Sequence, residues 1–408
     1  MSQTKPFEIS KQEIVKAYQR VKANKGGEGV DRQSMENFEA DLKNNLYKLW
    51  NRLSSGSYIP PAVLRVDIPK GDGGIRSLGI PTIADRIAQM VVKQRIEPEL
   101  ESHFHENSYG YRPNKSALEA LSVTRQRCWK RAWVLDMDIK GFFDAIDHEL
   151  LMRAVRKHVH DKWLILYIER WLTAPVQRQD GTQETREKGT PQGGVISPLL
   201  ANLYLHYAFD TWVDRHWPGL QFERYADDII CHCISEEEAK RLRAVLEERF
   251  SECGLSLHPE KTKIAYCKSS NNRGSYPVVS FDFLGHSFKP RKSKNRRGVF
   301  FVAFSPAISQ KSSKVIRGKI ESWRVFRSSK TDLAMIAKYS RAKVQGWMNY
   351  YGQYGYAEFK RVLNYLNEEL IRWAKRKYKR LKSKRQAVRW LIGVRSRDAK
   401  LFVHWHYT

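Results

Sequence analysis

The sequence predicts an α+β fold that is followed by a basic α-helical module. Short apolar segments with strand character alternate with amphipathic helical segments as far as about residue 288. Glycine-rich turns separate pairs of these short segments, as they do in β-hairpins. Beyond residue 289 the pattern is mostly helical, and a chain of 408 residues is long enough for two or three separate cores.

The elements follow from turn signals and from the period of the apolar residues. In chain order they are helices in the first fifty residues, a hairpin turning at 71–74, helices at 83–102 and 114–129, a strand at 133–140, helices within 147–172, a small hairpin turning at 180–181, a long helix within 189–213, a hairpin at 222–233, a helix at 236–252, and two further strand segments at 255–266 and 278–290. A short linker after residue 289 is expected to lead into the basic helices.

The net charge of +28 is concentrated at the C-terminal end of the chain. Residues 289–408 contain 31 Lys and Arg but only 6 Asp and Glu, and tryptophans and tyrosines are mixed among these cations. Such an excess indicates a polyanionic partner, because cations can hold phosphates while exposed rings stack on bases. The alternative is a well-solvated basic domain. Most of the aromatic residues in this region are nevertheless expected to be helix core.

Other function classes are disfavoured by the sequence. No run of about 18 apolar residues predicts a membrane span, and MSQTKPFEIS lacks the apolar stretch of a signal peptide. We therefore expect a soluble, cytoplasmic protein. The five cysteines are too irregular for a disulfide framework, and Cys231-His232-Cys233 is predicted to be a buried strand rather than a zinc site.

Three carboxylates lie on two strand segments that are far apart in sequence. Asp138 ends one strand, and Asp227 and Asp228 form the tip of a hairpin. If these strands pair, the carboxylates converge, and like charges at short range call for a divalent cation. Carboxylate oxygens suit Mg²⁺, and two such ions would support phosphoryl transfer to a hydroxyl group. An isolated Asp-Asp pair, by contrast, is often only a surface turn.

These carboxylates lie within motifs that resemble those of the reverse transcriptases of group II introns. YADD at 225–228 resembles the catalytic hairpin of that family, and DIKGFFD at 138–144 resembles its first carboxylate motif. Further resemblances, in the family's order, are IPKGDGGIRSLGIPTIADR at 68–86, HENSYGYRPNKSA at 105–117, GTPQGGVISPLLANLYL at 189–205, LHPEKTK at 257–263, FDFLG at 281–285, GWMNYYG at 346–352 and LFVHW at 401–405.

The resemblance implies a right-hand polymerase with fingers and palm built on an antiparallel sheet, plus an α-helical basic thumb. Residues 1–125 would form an N-terminal extension and fingers, and residues 126–288 a palm with an interleaved fingers segment at about 150–188. Residues 289–408 would form the thumb, called domain X in maturases. The implied activity is that of an RNA-directed DNA polymerase.

The resemblance also implies the metal ligands. Asp138 and Asp227 would hold two Mg²⁺ ions, which Mn²⁺ can replace. The backbone carbonyl of Ile139 would add a ligand, and Asp228 would assist.

Further residues would bind the incoming nucleotide. Lys70 and Arg76 would close on the triphosphate, and Phe143 would lie beneath the sugar and select dNTPs over NTPs. Gln192 would contact the same sugar region. Lys261 is either a nearby electrostatic contact or solvated surface.

The remaining candidates concern the primer and template. Tyr225 would pack near the primer terminus, and Leu284 with Gly285 would form the turn that grips the primer. Arg112 is either a template contact or part of a structural salt bridge.

The implied partners are an RNA template, a DNA or RNA primer, dNTPs and group II intron RNA, in a cytoplasmic ribonucleoprotein or at the nucleoid; a homodimer is left open. We do not expect the DNA-binding and endonuclease domains that many intron-encoded proteins carry. Two other functions remain alternatives: a splicing maturase in which polymerisation is incidental, and a domesticated reverse transcriptase in phage defence or DNA repair.

Overall fold

Capping residues fix the beginnings of many helices. At Ser10 and Glu13, side chains and backbone amides bond reciprocally in a capping box. Thr82, Ser235 and Ser309 cap three later helices. The computed structural model describes residues 5–69, 74–328 and 330–408. These residues divide into two units, one containing 1–120 and 135–262 and the other containing 121–134 and 263–408.

The first unit begins with helices and an antiparallel hairpin. In chain order, the elements before the central sheet are α1 (Lys11–Ala23), α2 (Met35–Ala40), α3 (Leu42–Ser54), β1 (Val63–Pro69), β2 (Ile75–Ile80), α4 (Ile83–His103) and α5 (Ala117–Lys130). Helix α5 continues into the second unit. The predicted hairpin is confirmed, because β1 and β2 pair from Leu64 opposite Ile80 to Pro69 opposite Ile75. Of its predicted turn at 71–74, residues 71–73 lie outside the described residues.

The central sheet of the first unit carries the acidic residues. The elements that follow α5 are β3 (Trp133–Asp138), α6 (Phe142–Ala145), α7 (His148–His158), α8 (Lys162–Leu172), β4 (Val176–Gln177), β5 (Gln183–Glu184), α9 (Ser197–Leu205), α10 (Thr211–His216), β6 (Gln221–Tyr225), β7 (Asp228–Cys233) and α11 (Glu236–Glu252). β7 lies between β6 and β3 in the sheet. Cys231, His232 and Cys233 are buried, and His232 pairs with Glu223, as expected for a core strand.

The second unit combines a three-stranded sheet with a helical core. Its elements after α5 are β8 (Lys263–Tyr266), β9 (Phe281–Phe283), β10 (His286–Lys294), β11 (Phe300–Ile308), α12 (Gln310–Glu321), α13 (Leu333–Tyr351), α14 (Tyr356–Lys377) and α15 (Lys384–Arg397). Two 3₁₀ turns lie at Arg324–Phe326 and Val403–His406. Trp373 and Trp405 are among the largest buried side chains of this core. The tryptophans of the basic region thus serve largely as helix core, as predicted for most of its aromatic residues.

The linker expected after residue 289 is instead part of a β-hairpin. β10 and β11 pair over nine positions, from His286 opposite Ile308 to Lys294 opposite Phe300. The run KPRKSKNRRG at 289–298 indicates a solvated segment. At the root of the hairpin, however, Phe288 of β10 and Phe304 of β11 are fully buried against Phe281. No helix in the described part of the chain is both long and apolar enough to cross a membrane.

Candidate active site

The turn between β6 and β7 presents Asp227 and Asp228. Tyr225 pairs with Asp228 at the end of the hairpin, so Ala226 and Asp227 make the connection. Ala226 has a φ of 58°, in the left-handed region that residues other than glycine seldom adopt. Surrounding structure must therefore hold this turn in place.

A buried arginine holds the turn. The Arg224 guanidinium donates to both carboxylate oxygens of Asp210 at 2.7 and 2.6 Å. Its remaining nitrogen donates to Asn202 Oδ1 at 3.0 Å and to the carbonyl of Ala226 at 3.3 Å. The side chains of Arg224 and Asp210 are both 0% exposed. The ion pair is therefore bidentate, fully desolvated and bonded directly to the strained residue.

The same network brings a second segment against the turn. Asn202 Nδ2 donates to the carbonyl of Gly110 at 2.7 Å. A Cβ atom on Gly110 would lie 2.5 Å from the amide nitrogen of Ala226, so only glycine fits there. Asp210 ends a π-helical turn, His206–Asp210, between α9 and α10. Such turns are rare and recur at functional sites.

Asp138 lies at the end of β3, the strand beside β7. Its backbone carbonyl accepts from the amide of His258 at 2.7 Å, and Ile139 forms a bridge with Leu257. The Lys261 ammonium group donates to Asp138 Oδ2 at 2.7 Å. Of the two alternatives for Lys261, the structure contains the electrostatic contact, although the lysine remains half-exposed.

Asp138 and Asp227 share one electrostatic environment. Partial burial raises the pKa of Asp227, and the negative charge of Asp138 raises it further. The cations Arg76 and Lys261 act in the opposite direction on that pKa. Among residues 5–69, 74–328 and 330–408 there is no group of three His, Cys, Asp or Glu side chains arranged to hold a metal ion. The structure thus couples two carboxylates, and Asp228 begins the adjoining strand.

The predicted nucleotide contacts surround the turn that precedes α9. Phe143 is 8% exposed and packs edge-on against Phe142, with ring centroids 5.4 Å apart. The carbonyl of Phe143 accepts from Thr190, and the carbonyl of Gln192 accepts from Gly79 of β2, each at 2.7 Å. β2, which carries the exposed Arg76, therefore lies against this turn. Lys70 lies outside the described residues.

A second buried network supports the same turn and was not predicted from the sequence. Gln89 Oε1 accepts from the amide of Val195 at 2.8 Å, and Gln89 Nε2 donates to Asp85 Oδ2 at 3.0 Å. Asp85 Oδ1 also accepts from Trp171 and Tyr58 at 2.7 and 2.8 Å. An acidic residue in the first turn of a helix is ordinary, so no local pattern indicates this role for Asp85.

The primer and template candidates have different environments. The Arg112 side chain is 6% exposed, and it bonds to Glu101 and to the carbonyls of His105 and Ser108. Of the two alternatives given for Arg112, the structure thus contains the salt bridge, which is made with Glu101. The Tyr225 ring lies 6.3 Å from that of Tyr111.

Leu284 and Gly285 belong to the second unit and form the turn between β9 and β10. Both have positive φ values, 48° and 76°. The carbonyl of Leu284 accepts from the Tyr350 hydroxyl at 2.8 Å, and that of Gly285 accepts from the Ser309 amide at 3.0 Å. The tight turn predicted for these two residues is present.

Arg224→Lys should destabilise the first unit by about 3–5 kcal/mol. Lysine keeps the positive charge, but a single ammonium group cannot span both Asp210 oxygens together with Asn202 and Ala226. Urea unfolding followed by circular dichroism measures this change. Arg215→Lys on α10 is the control and should stay near the wild type. Equal stability of Arg224→Lys and Arg215→Lys would contradict the role given to the buried pair.

Asp85 should make the stability of the first unit depend on pH. Burial raises its pKa from 3.8 to about 6, although hydrogen bonds from Trp171, Tyr58 and Gln89 lower it. Because the folded-state pKa lies above the unfolded value, the contribution of Asp85 is full below the unfolded pKa. It is lost as the pH rises through about 6, a change of about 3 kcal/mol.

Unfolding free energies of wild type and Asp85→Asn over about pH 4–8 test this dependence. The variant should lack the fall in stability, since its side chain cannot ionise. Asp41→Asn, at an exposed carboxyl, should retain the wild-type profile. A wild-type protein that gains stability relative to Asp85→Asn over this range would contradict the assignment.

Two domain families match the chain. Residues 68–288 match the reverse transcriptase (RNA-dependent DNA polymerase) family, and residues 313–391 match the maturase-specific domain of group II introns. Protein YkfC of Escherichia coli strain K12 is 33% identical over 307 residues, which cover 65% of this chain and 77% of YkfC.

The group II intron-encoded protein LtrA of Lactococcus lactis subsp. cremoris is 35% identical over 193 residues, which cover 47% of this chain and 32% of LtrA. This chain thus matches about a third of the length of that relative. Among solved structures, telomerase from Candida albicans in complex with a TWJ fragment of telomeric RNA aligns with a TM-score of 0.46 and 13% identity, covering 83% of this chain and 63% of that one. From the domain matches and from YkfC, the chain belongs to the reverse transcriptase family, the RNA-directed DNA polymerases, and it carries the maturase-specific domain of group II intron proteins.

Proposed function

We propose that this chain copies RNA into DNA, using Asp138, Asp227 and Asp228 as its catalytic carboxylates. The observation that carries this proposal is the electrostatic interaction between Asp138 and Asp227. The two residues lie at the ends of neighbouring strands, and the negative charge of Asp138 raises the pKa of Asp227. Like charges held close together raise each other's pKa, and a divalent cation between them removes that cost. Nucleotidyl transfer, in which a primer hydroxyl attacks the α-phosphate of a deoxynucleoside triphosphate and pyrophosphate leaves, is the reaction that such a site serves in this family.

The donor set fits magnesium. Carboxylate and carbonyl oxygens are hard ligands, and Asp227, whose pKa is raised by burial and by Asp138, would be stabilised in its ionised form by a divalent cation. Asp138, Asp227 and the carbonyl of Ile139 would hold two Mg²⁺ ions, or Mn²⁺ in their place, with Asp228 assisting. When bound, these ions would lower the pKa of a primer hydroxyl and stabilise charge on the triphosphate.

The surrounding cations bind the triphosphate. Arg76 already contributes positive potential at Asp227, and Lys261 contacts Asp138. We assign Arg76 and Lys70 to the phosphate oxygens, because a guanidinium fork and an ammonium group together neutralise much of the charge. Lys261, which contacts Asp138, also lowers the pKa of Asp227 through its positive charge.

The sugar of the incoming nucleotide contacts Phe143 and Gln192. Both residues are fixed by backbone hydrogen bonds, Phe143 to Thr190 and Gln192 to Gly79. A rigid ring beneath the sugar leaves no room for a 2′-hydroxyl, which selects dNTPs. Tyr225 lies beside the acidic turn and is assigned to the primer terminus, and Leu284 with Gly285 is assigned to the primer backbone.

We further propose that the chain assists the splicing of a group II intron. The match of residues 313–391 to the maturase-specific domain favours this second function. The +25 charge of residues 289–408 supports binding of intron RNA. We assign residues 1–125 to an N-terminal extension and the fingers, residues 126–288 to the palm with an interleaved fingers segment at about 150–188, and residues 289–408 to this RNA-binding thumb.

Asp227→Asn should reduce primer extension on an RNA template with dNTPs and Mg²⁺ by roughly a thousand-fold or more, because the loss of a metal-holding carboxylate costs several kcal/mol of transition-state stabilisation. Asp136→Asn, on the same strand as Asp138, is the matched control and should remain active. An Asp227→Asn enzyme with activity close to that of the control would refute the site assignment.

Asp227→Ala should leave splicing of the flanking intron intact at low Mg²⁺ while it abolishes DNA synthesis. Removing a carboxylate from the polymerase site does not alter the cations that bind intron RNA. A splicing assay with and without protein measures the first activity, and primer extension measures the second. Failure of the wild-type protein to accelerate splicing would remove the maturase proposal while leaving the polymerase proposal standing.

A further inference from the structure

The outer half of the β10–β11 hairpin is exposed and apolar. Residues 292–302 are here called the hairpin arm. Its side chains Val299, Phe300, Phe301 and Val302 are exposed by 38% to 61%, with Phe300 the most exposed at 61%. The root of the same hairpin is buried, since Phe288 and Phe304 are 0% exposed. The arm therefore extends from a core sheet and leaves apolar side chains uncovered on both of its faces.

The arm is also strongly basic. Lys292 and Lys294 place their ammonium groups 4.5 and 5.6 Å from the centroid of the Phe300 ring. Arg296 and Arg297 lie at the tip, and the sequence contains no Asp or Glu from residue 289 to residue 320. A surface that combines unshielded cations with an exposed ring suits a partner that carries both negative charge and flat apolar faces.

Hydrogen bonds give the arm a fixed shape. The Asn295 side chain accepts from the amides of Arg297 and Val299 at 3.0 and 2.9 Å, and Gly298 turns the chain with a φ of 84°. At the base of the arm, Ser270 and Val302 exchange two hydrogen bonds of 2.8 and 2.9 Å. The ring and its cations are thus held in position before any partner binds, which reduces the entropic cost of binding.

We propose that the hairpin arm binds single-stranded RNA, with Phe300 stacking on an unpaired base while Lys292, Lys294, Arg296 and Arg297 bind the flanking phosphates. A base that is already stacked within a duplex offers no free face to the ring, so the partner is single-stranded. The assignment to RNA rests on the proposed function, because the maturase-specific domain begins at residue 313 in the same unit as the arm.

Crosslinking locates the contact directly. An unstructured oligouridylate that contains 4-thiouridine is irradiated with the full-length protein and digested with trypsin. The crosslink should map to the peptide spanning residues 298–311, which contains Phe300. Crosslinks confined to other peptides, or equally strong with duplex RNA in place of the single strand, would overturn the proposal.

Substitutions at Phe300 test the stacking. Phe300→Leu keeps an apolar side chain but removes the ring, and it should weaken binding of fluorescein-labelled oligouridylate by roughly 5- to 100-fold. Phe300→Trp keeps a ring and should bind at least as tightly as the wild type. The proposal is overturned if Phe300→Leu binds the oligouridylate as tightly as the wild type but has lost a concentration-dependent dimer that the wild type forms. The partner of the arm would then be a second copy of the chain.

Salt dependence tests the phosphate contacts. Replacing Lys292 and Lys294 by Gln should reduce the slope of log affinity against log salt by about 1.4, or about 0.7 for each lost contact with a single strand. Lys16→Gln, on α1 of the other unit, is the charge control and should change the slope little. An unchanged slope in the double variant would contradict the assignment of these lysines.

The outcomes separate this inference from the proposed function. A wild-type protein that crosslinks through residues 298–311 but does not extend primers would refute the polymerase proposal and leave the arm in place. Primer extension without any crosslink in that peptide would refute RNA binding by the hairpin arm and leave the polymerase proposal standing.

Discussion

The buried ion pair between Arg224 and Asp210 fixes the hairpin turn that carries Asp227 and Asp228. Ala226 occupies a left-handed conformation that costs free energy, and Arg224 bonds to its carbonyl while both oxygens of Asp210 hold the guanidinium. Desolvating two charges is favourable only with such complete hydrogen bonding. The acidic turn can therefore keep one geometry while negative charge accumulates beside it, which is what a metal-dependent polymerase site requires.

Two buried networks divide the support of the site between them. The Arg224 network holds the carboxylate turn through Asn202 and Gly110, and the Asp85 network holds the turn before α9 through Gln89 and Val195. Each relies on an ionisable side chain that water cannot reach, so each is sensitive to the loss of one partner. Conserving volume or charge alone at these positions would not preserve the site, because the number and direction of the hydrogen bonds also matter.

Local signals explain how far the fold could be predicted from the sequence. The hairpins β1–β2 and β6–β7 and the helices α4 and α11 lie where turn residues and apolar periodicity place them. Asp210 and Asn202 were missed because they meet Arg224 across 14 and 22 residues of sequence, where no local pattern operates. The β10–β11 hairpin was missed because its cations dominate the pattern and conceal the alternation that buries Phe288 and Phe304. Arg112 was ambiguous in sequence because the burial of its guanidinium, which distinguishes a structural pair from a substrate contact, is a tertiary property.

The distribution of charge follows from the chemistry that the two parts of the chain perform. Binding a long polyanion requires many cations, whereas holding magnesium requires a local excess of carboxylates over lysine and arginine. A cation within the Debye length of about 10 Å competes for those carboxylates, and more distant cations are largely screened. Residues 1–288 accordingly carry a net charge of only +3, and the positive charges of Arg76 and Lys261 lower the pKa of Asp227. The remaining +25 lies in residues 289–408, which suits the polyanionic RNA proposed to bind there.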